Sequence, residues 1–138
     1  MSHPQIATII PPYLLQHLAE GTEPIAEQAR ATLVADAEKR RARSRRSAPT
    51  VIAGSGPAAS GPSREIFDAG HSENLPGTAV RTEGGPATGD PAADEAYDGF
   101  GATWALFDEV YGRNSIDGSG MALLGTVHYG EGYQNAFW

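Results

Sequence analysis

The sequence predicts an α+β fold: a helical N-terminal part, a flexible linker, and a β-rich lobe that carries one long helix. Three observations lead there. Apolar residues recur at three- and four-residue steps over the first third of the chain, behind a Pro-Pro pair. Residues 47–63 are then almost entirely Ala, Pro, Gly and Ser. Beyond them the apolar runs are short and broken by glycine, except for one segment bounded by Asp90 and Gly112.

The first element is a short helix over residues 11–20. Pro11 and Pro12 suit its entry, Tyr13, Leu14, Leu15 and Leu18 form its apolar stripe, and Gly21 stops it. A second helix begins near Thr22, with Pro24 in the first turn and Ile25, Ala29, Leu33 and Ala37 at helical spacing. It runs into Lys39, Arg40, Arg41, Arg43, Arg45 and Arg46, where cations suit the carbonyl end of a helix. A two-helix hairpin of this size buries little and calls for a partner surface. Residues 47–63 cannot bury enough apolar area to offset their ordering entropy, so they form a linker.

In the lobe, Arg64–Asp68 is a candidate strand, Asn74-Leu75-Pro76-Gly77 a turn, and Glu83–Gly89 a loop. The third helix is the best marked: Asp90 caps it, Pro91 takes its first position, and Gly112 follows it. Ala93, Tyr97, Phe100, Trp104, Phe107 and Tyr111 give it one apolar face, and Gly99 and Gly101 allow close packing. Met121–Tyr129 reads as a strand, and a further strand starts near Asn135.

Composition narrows the class. Gly and Pro make up close to a fifth of the 138 residues, so one core spanning the whole length is not expected. The net charge of −7 hides a split: residues 1–50 hold seven Lys or Arg against five Asp or Glu, and the remainder three against twelve. Without cysteine, disulfides and thiolate metal sites are excluded. No apolar run approaches the roughly 20 residues of a membrane helix, and no classical signal peptide is visible at the N-terminus.

The Lys39–Arg46 run admits three readings: a nucleic-acid patch, a solvated helix end, or an exposed junction open to proteolysis. It has no interleaved aromatics and the chain is acidic, so neither nucleic acid nor membrane is expected as a partner. None of His3, His17, His71 and His128 has the His-Glu-x-x-His spacing of a zinc helix. His128 reads as a hydrogen-bonded structural histidine within a strand. Asp90, Asp94, Glu95 and Asp98 read as favourable charge at a helix start, not as a calcium site. No catalytic and no metal-binding residue is assigned.

Val110–Gly118, Thr126-Val127-His128-Tyr129-Gly130 and Asn135-Ala136-Phe137-Trp138, in that order and spacing, resemble the thermolysin-like zinc metallopeptidases. Leu75-Pro76-Gly77 and Ala96-Tyr97-Asp98 fit the same pattern. Ile10-Pro11-Pro12-Tyr13-Leu14-Leu15 resembles the short propeptide of the protealysin type, with Pro11, Pro12, Tyr13, Leu14 and Leu15 as its motif.

The resemblance implies a propeptide at 1–46, a linker and cleavage region at 47–63 with Arg43, Arg45, Arg46 and Ser47 as candidate cut sites, and part of the catalytic domain's N-terminal lobe at 64–138. It implies that the propeptide assists folding, blocks the substrate cleft and is removed by self-cleavage. It also implies that Asn135, Ala136 and Trp138 line an edge that hydrogen-bonds an extended peptide, with Phe137 as packing.

The family's zinc helix follows this point, so the chain is expected to be a truncated zymogen portion, inactive alone. Zinc and calcium belong to the full-length family, and neither is expected to be held here. The alternative is a standalone propeptide-like protein that occupies and inhibits the cleft of an intact relative. Family expectation is secretion; the missing signal peptide leaves cytoplasmic residence or non-classical export open.

Overall fold

The computed structural model describes residues 9–44 and 60–137. They divide into two compact units: one formed by the N-terminal helices with the residues from Gly132 onward, the other by the intervening lobe.

In the first unit, α1 spans Pro12–Ala19 and α2 spans Pro24–Ser44. Pro11 is the extended residue before α1, and its carbonyl accepts from the Leu14 and Leu15 N–H groups. Arg30 Nη2 donates to the Gly21 carbonyl at 3.0 Å and so holds the turn between the helices. Leu15 alone of the expected α1 stripe is buried; Tyr13, Leu14 and Leu18 are exposed.

The buried line of α2 also differs from the apolar stripe read in the sequence. It consists of Ala26, Ala29, Thr32 and Asp36, whereas Ile25 is exposed. Two polar side chains occupy positions that periodicity reserves for apolar ones. Arg43 falls within α2, and Arg45, Arg46, Ser47 and the rest of the expected linker up to residue 59 lie outside the described residues.

The second unit is a three-stranded sheet of β1 (Arg64–Asp68), β2 (Thr78–Thr82) and β3 (Leu123–Val127), with α3 (Pro91–Tyr111). The strand order is β2-β1-β3: β1 pairs antiparallel with β2, with a bulge between Ile66 and Phe67, and parallel with β3. Strand β2 is not foreseen in the sequence. It is an edge strand with every residue but Arg81 exposed, so it carries no buried alternation to read. The turn before it depends on Gly77, whose φ is +90° and where a Cβ would lie 2.3 Å from the Asp68 carbonyl oxygen.

Helix α3 has the expected ends. Asp90 Oδ1 accepts from the Ala92 N–H at 2.9 Å, Pro91 follows, and Gly112 closes in the left-handed conformation. Its N-terminal half packs: Ala93 and Tyr97 join Ile66 in the core, with Ala96, Phe100 and Val127 around them. Tyr111, expected on the same face, is exposed. Gly101 makes room for the Arg64 guanidinium, not for another backbone, and Gly99 faces open space. The close helix–strand approach lies instead at Gly125, where a Cβ would meet the Phe100 ring at 2.8 Å.

Tyr97 joins these elements. Its ring lies 3.8 Å from the guanidinium carbons of both Arg64 and Arg81. Its hydroxyl accepts from the Gly84 N–H and donates to Glu83 Oε1. Glu83 in turn receives Arg64 through Nε at 2.7 Å and Nη2 at 2.6 Å. That fork holds the Glu83 carboxyl below its ordinary range and raises Arg64 above its own. Asp94 accepts from Arg81 and from the Thr88 and Gly89 N–H groups, and the backbone donors depress its carboxyl.

Candidate functional site

Two groupings of polar side chains could carry chemistry, one in each unit. In the first unit, Tyr133 to Phe137 lies against α2 and the residues before α1. The Ile9 N–H donates to the Ala136 carbonyl at 3.1 Å, and the Ile10 N–H donates to Asn135 Oδ1 at 2.8 Å. Asn135 Nδ2 donates to the Ile10 carbonyl at 3.0 Å and to Asp36 Oδ2 at 2.9 Å. Asn135 Oδ1 also accepts from the Ala136 N–H. Both hydrogens and both acceptor positions of the Asn135 amide are thereby used.

The α2 side supplies the rest. Asp36, fully buried, accepts from the Tyr133 hydroxyl at 2.6 Å, and Thr32 Oγ1 accepts from the Gln134 N–H at 2.9 Å. Lys39 Nζ lies 4.7 Å from the Tyr133 ring centroid and 4.8 Å from that of Phe137. Tyr133 and Phe137 meet edge to face.

Of the residues singled out in the sequence, the structure brings Asn135 and Ala136 together with the segment leading into α1. Trp138 lies outside the described residues. No strand forms over residues 133–136; side-chain bonds and the one backbone bond from Ile9 hold the segment. Thr32 and Asp36 escape sequence reading because an isolated polar residue in an alanine-rich helix looks solvent-facing. The available signal was their four-residue spacing, which places them on one face.

In the second unit, Asp68, Asp90 and His128 converge, with one ligand-type atom of each within 4.8 Å of the others. They come from the end of β1, the cap of α3 and the residue after β3. Their distance in sequence hides the grouping. His128 is not in mid-strand as expected: β3 ends at Val127, and His128 has φ +51°. It is hydrogen-bonded as expected, Nε2 lying 2.5 Å from Asp90 Oδ2. The His71 ring lies 5.4 Å from that of His128, and its backbone N–H donates to the His128 carbonyl.

Among the described residues this cluster alone groups three donors of the kind zinc takes. Zinc does not fit it. Ligand atoms about 2.0–2.1 Å from a tetrahedral zinc stand roughly 3.3 Å apart, whereas the His128 and Asp90 atoms share a proton at 2.5 Å. Asp68 Oδ1 accepts from the Gly70 N–H. The pair is an ion pair: Asp90 raises the imidazole above its ordinary range, and His128 lowers the carboxyl.

Known proteins are similar to this chain across both units. The model of the thermolysin metallopeptidase catalytic domain matches residues 32–138, so the match begins within α2. An extracellular metalloprotease of Pectobacterium carotovorum subsp. carotovorum is 42% identical over 134 residues, covering 96% of this chain and 38% of that protein. Protease PrtS of Photorhabdus sp. (strain Az29) is 52% identical over 75 residues, covering 54% of this chain and 20% of its own length.

The precursor of protealysin, a metalloproteinase from Serratia proteamaculans, superposes with a TM-score of 0.72 at 39% identity. That match covers 95% of this chain and 35% of the other. The chain thus spans well under half the length of these relatives. The three helices and the mixed three-stranded sheet are an α+β arrangement with a protealysin precursor as structural neighbour. With the family model matching well over half its residues, the chain belongs to the thermolysin family of metallopeptidases.

Proposed function

We propose that this chain is the N-terminal portion of a zinc metalloendopeptidase zymogen, in which residues 1–46 act as a propeptide. Its counterpart is a peptide-binding rim at Asn135, Ala136 and Trp138. The observation that carries the reading is the set of three bonds that Ile9 and Ile10 make with Ala136 and Asn135. A backbone that donates to a carbonyl and exchanges two bonds with an amide side chain uses the contacts a peptide substrate would use. The propeptide thus sits where substrate would lie.

In this reading removal of the leader, by cleavage between Arg43 and Ser47, exposes the rim. Nor, in this reading, is zinc held by Asp68, Asp90 and His128, the one such group among the described residues, because they are engaged with one another and with Gly70. The chain alone is inactive in this reading, because the His-Glu-x-x-His spacing of a zinc helix does not occur in its sequence. An extracellular destination is supported by the similarity to the extracellular metalloprotease of Pectobacterium carotovorum, and no helix among the described residues is long and apolar enough to cross a membrane.

The test is a peptidase assay of the purified 138-residue chain with zinc and with a chelator. No chelator-sensitive turnover is expected; finding it would sink the claim that the zinc ligands lie elsewhere. The same chain, added to an active relative, separates the alternative reading: potent inhibition in trans would favour a standalone inhibitor over a zymogen portion.

A further inference from the structure

The polar face of α2 has no role in a helix that merely carries the leader. Thr32, Asp36 and Lys39 stand four and three residues apart, which places them on one side of the helix. Each meets a different part of the segment 133–137. Thr32 takes the Gln134 N–H, Asp36 takes the Tyr133 hydroxyl and the Asn135 amide, and Lys39 lies over the Tyr133 and Phe137 rings. A buried carboxylate is costly unless its acceptor positions are filled, and both Asp36 oxygens are filled by side chains of this one segment.

We propose that α2 is a recognition helix for the segment Tyr133-Gln134-Asn135-Ala136-Phe137. Asp36 is its positioning residue, orienting the Asn135 amide toward Ile10. The partner surface is defined by chemistry: a phenol and a carboxamide two residues apart, flanked by a second aromatic ring. A peptide in the place of Ile9 and Ile10 reaches only backbone groups and the Asn135 amide. The leader reaches the tyrosine, the far side of the same amide and the rings as well. It therefore holds the segment more tightly than an extended peptide of equal length and selects for this sequence. The regulatory meaning of the clamp rests on the groove reading above; the clamp itself does not.

Hydrogen exchange of the full chain, followed by NMR, tests it with Asp36→Ala and Thr32→Val. Asp36→Ala is expected to speed exchange of the Asn135 side-chain hydrogens and the Ile10 N–H by about ten-fold, the scale of one lost charge-assisted bond. Gly85 and Leu123 in the other unit should not change. Thr32→Val should speed the Gln134 N–H alone. Unchanged exchange at Asn135 and Ile10 in Asp36→Ala overturns the proposal.

Should that variant also lose protection along α2, Asp36→Asn decides. It keeps the volume, leaves one neutral oxygen for the Asn135 amide and turns an NH2 group to the Tyr133 hydroxyl, which can accept from it, so roughly a five-fold rise at Asn135 is expected with α2 intact. No rise there overturns the clamp. A blocked peptide of the sequence Ile9–Leu15 is then added to Asp36→Ala. Shifts at Asn135 and Ala136 support the groove; accelerated exchange without such shifts upholds the clamp and overturns the groove.

Discussion

Tyr97 offers a graded test of how the second unit is held together. Tyr97→Phe keeps the ring, and with it the two guanidinium contacts at 3.8 Å, but removes the hydroxyl. That leaves the Gly84 N–H without its acceptor and takes one donor from Glu83. Loss of a partly buried pair of bonds costs about 1–2 kcal/mol. Tyr97→Leu removes the hydroxyl and the ring together. Two cation–π contacts are worth about 0.5–1 kcal/mol each even at exposed sites, and lost packing in the Ile66–Ala93 core adds to this. The total is about 3–4 kcal/mol.

The assay is urea unfolding followed at Trp104, in a Trp138→Phe background so that one indole reports. With a slope of about 1.5–2 kcal/mol per molar urea, the midpoint should fall by about 0.5–1.3 M for Tyr97→Phe and about twice that or more for Tyr97→Leu. Two variants with the same midpoint would show that the guanidinium contacts contribute nothing. A Tyr97→Phe midpoint at the wild-type value would show that the hydroxyl bonds are replaced by water without loss.

Two further outcomes are expected. Gly77→Ala forces a left-handed residue and a Cβ against the Asp68 backbone, neither of which a side-chain rotation relieves. It should cost at least 1–2 kcal/mol from the backbone conformation alone, read as a lower urea midpoint, and a neutral result would refute the packing of the turn on β1. Between His128 and Asp90 the pH dependence has a definite sign. His128 is raised, so its contribution is whole below its unfolded value near 6.5 and is lost as pH climbs through the higher folded value. Asp90 is lowered, so its contribution is whole above its unfolded value and is lost as pH drops through the lower folded one. Stability of this unit should therefore decline above neutrality in the wild type but not in His128→Gln. An equal alkaline decline in both would remove the pair from the explanation.

Helix α3 was legible because its ends are local chemistry: an aspartate that caps, a proline that follows, a glycine that closes. Strand β1 was legible from its own residues. Strand β2 was not, since an exposed edge shows no periodicity and exists because β1 pairs with it. His128 looked like a strand residue from its neighbours Val127 and Tyr129, and its left-handed backbone is set by the tertiary bond to Asp90. In the candidate site, Asn135 and Ala136 were reached through family resemblance, which is silent about their use against α2. Asp36 was invisible for a physical reason: a buried carboxylate is recognised by its donors, and these lie roughly a hundred residues away.

The pairing of the two helices with the residues from Gly132 onward follows from what each lacks. Among their described residues the helices bury only Leu15, Ala26 and Ala29 as apolar side chains, too little to stand without a third element. The segment from Tyr133 carries a phenol, a backbone N–H, a carboxamide and a carbonyl, and all four are bonded to the leader. Removing the leader therefore leaves a row of unmet donors and acceptors. In the proposed zymogen, the groups that make the leader adhere are then the groups that make a freed rim take up a peptide. Weakening them to speed release also weakens the rim. Asp36 escapes that coupling: it lies on the leader, and changing it loosens the clamp while leaving every rim residue intact.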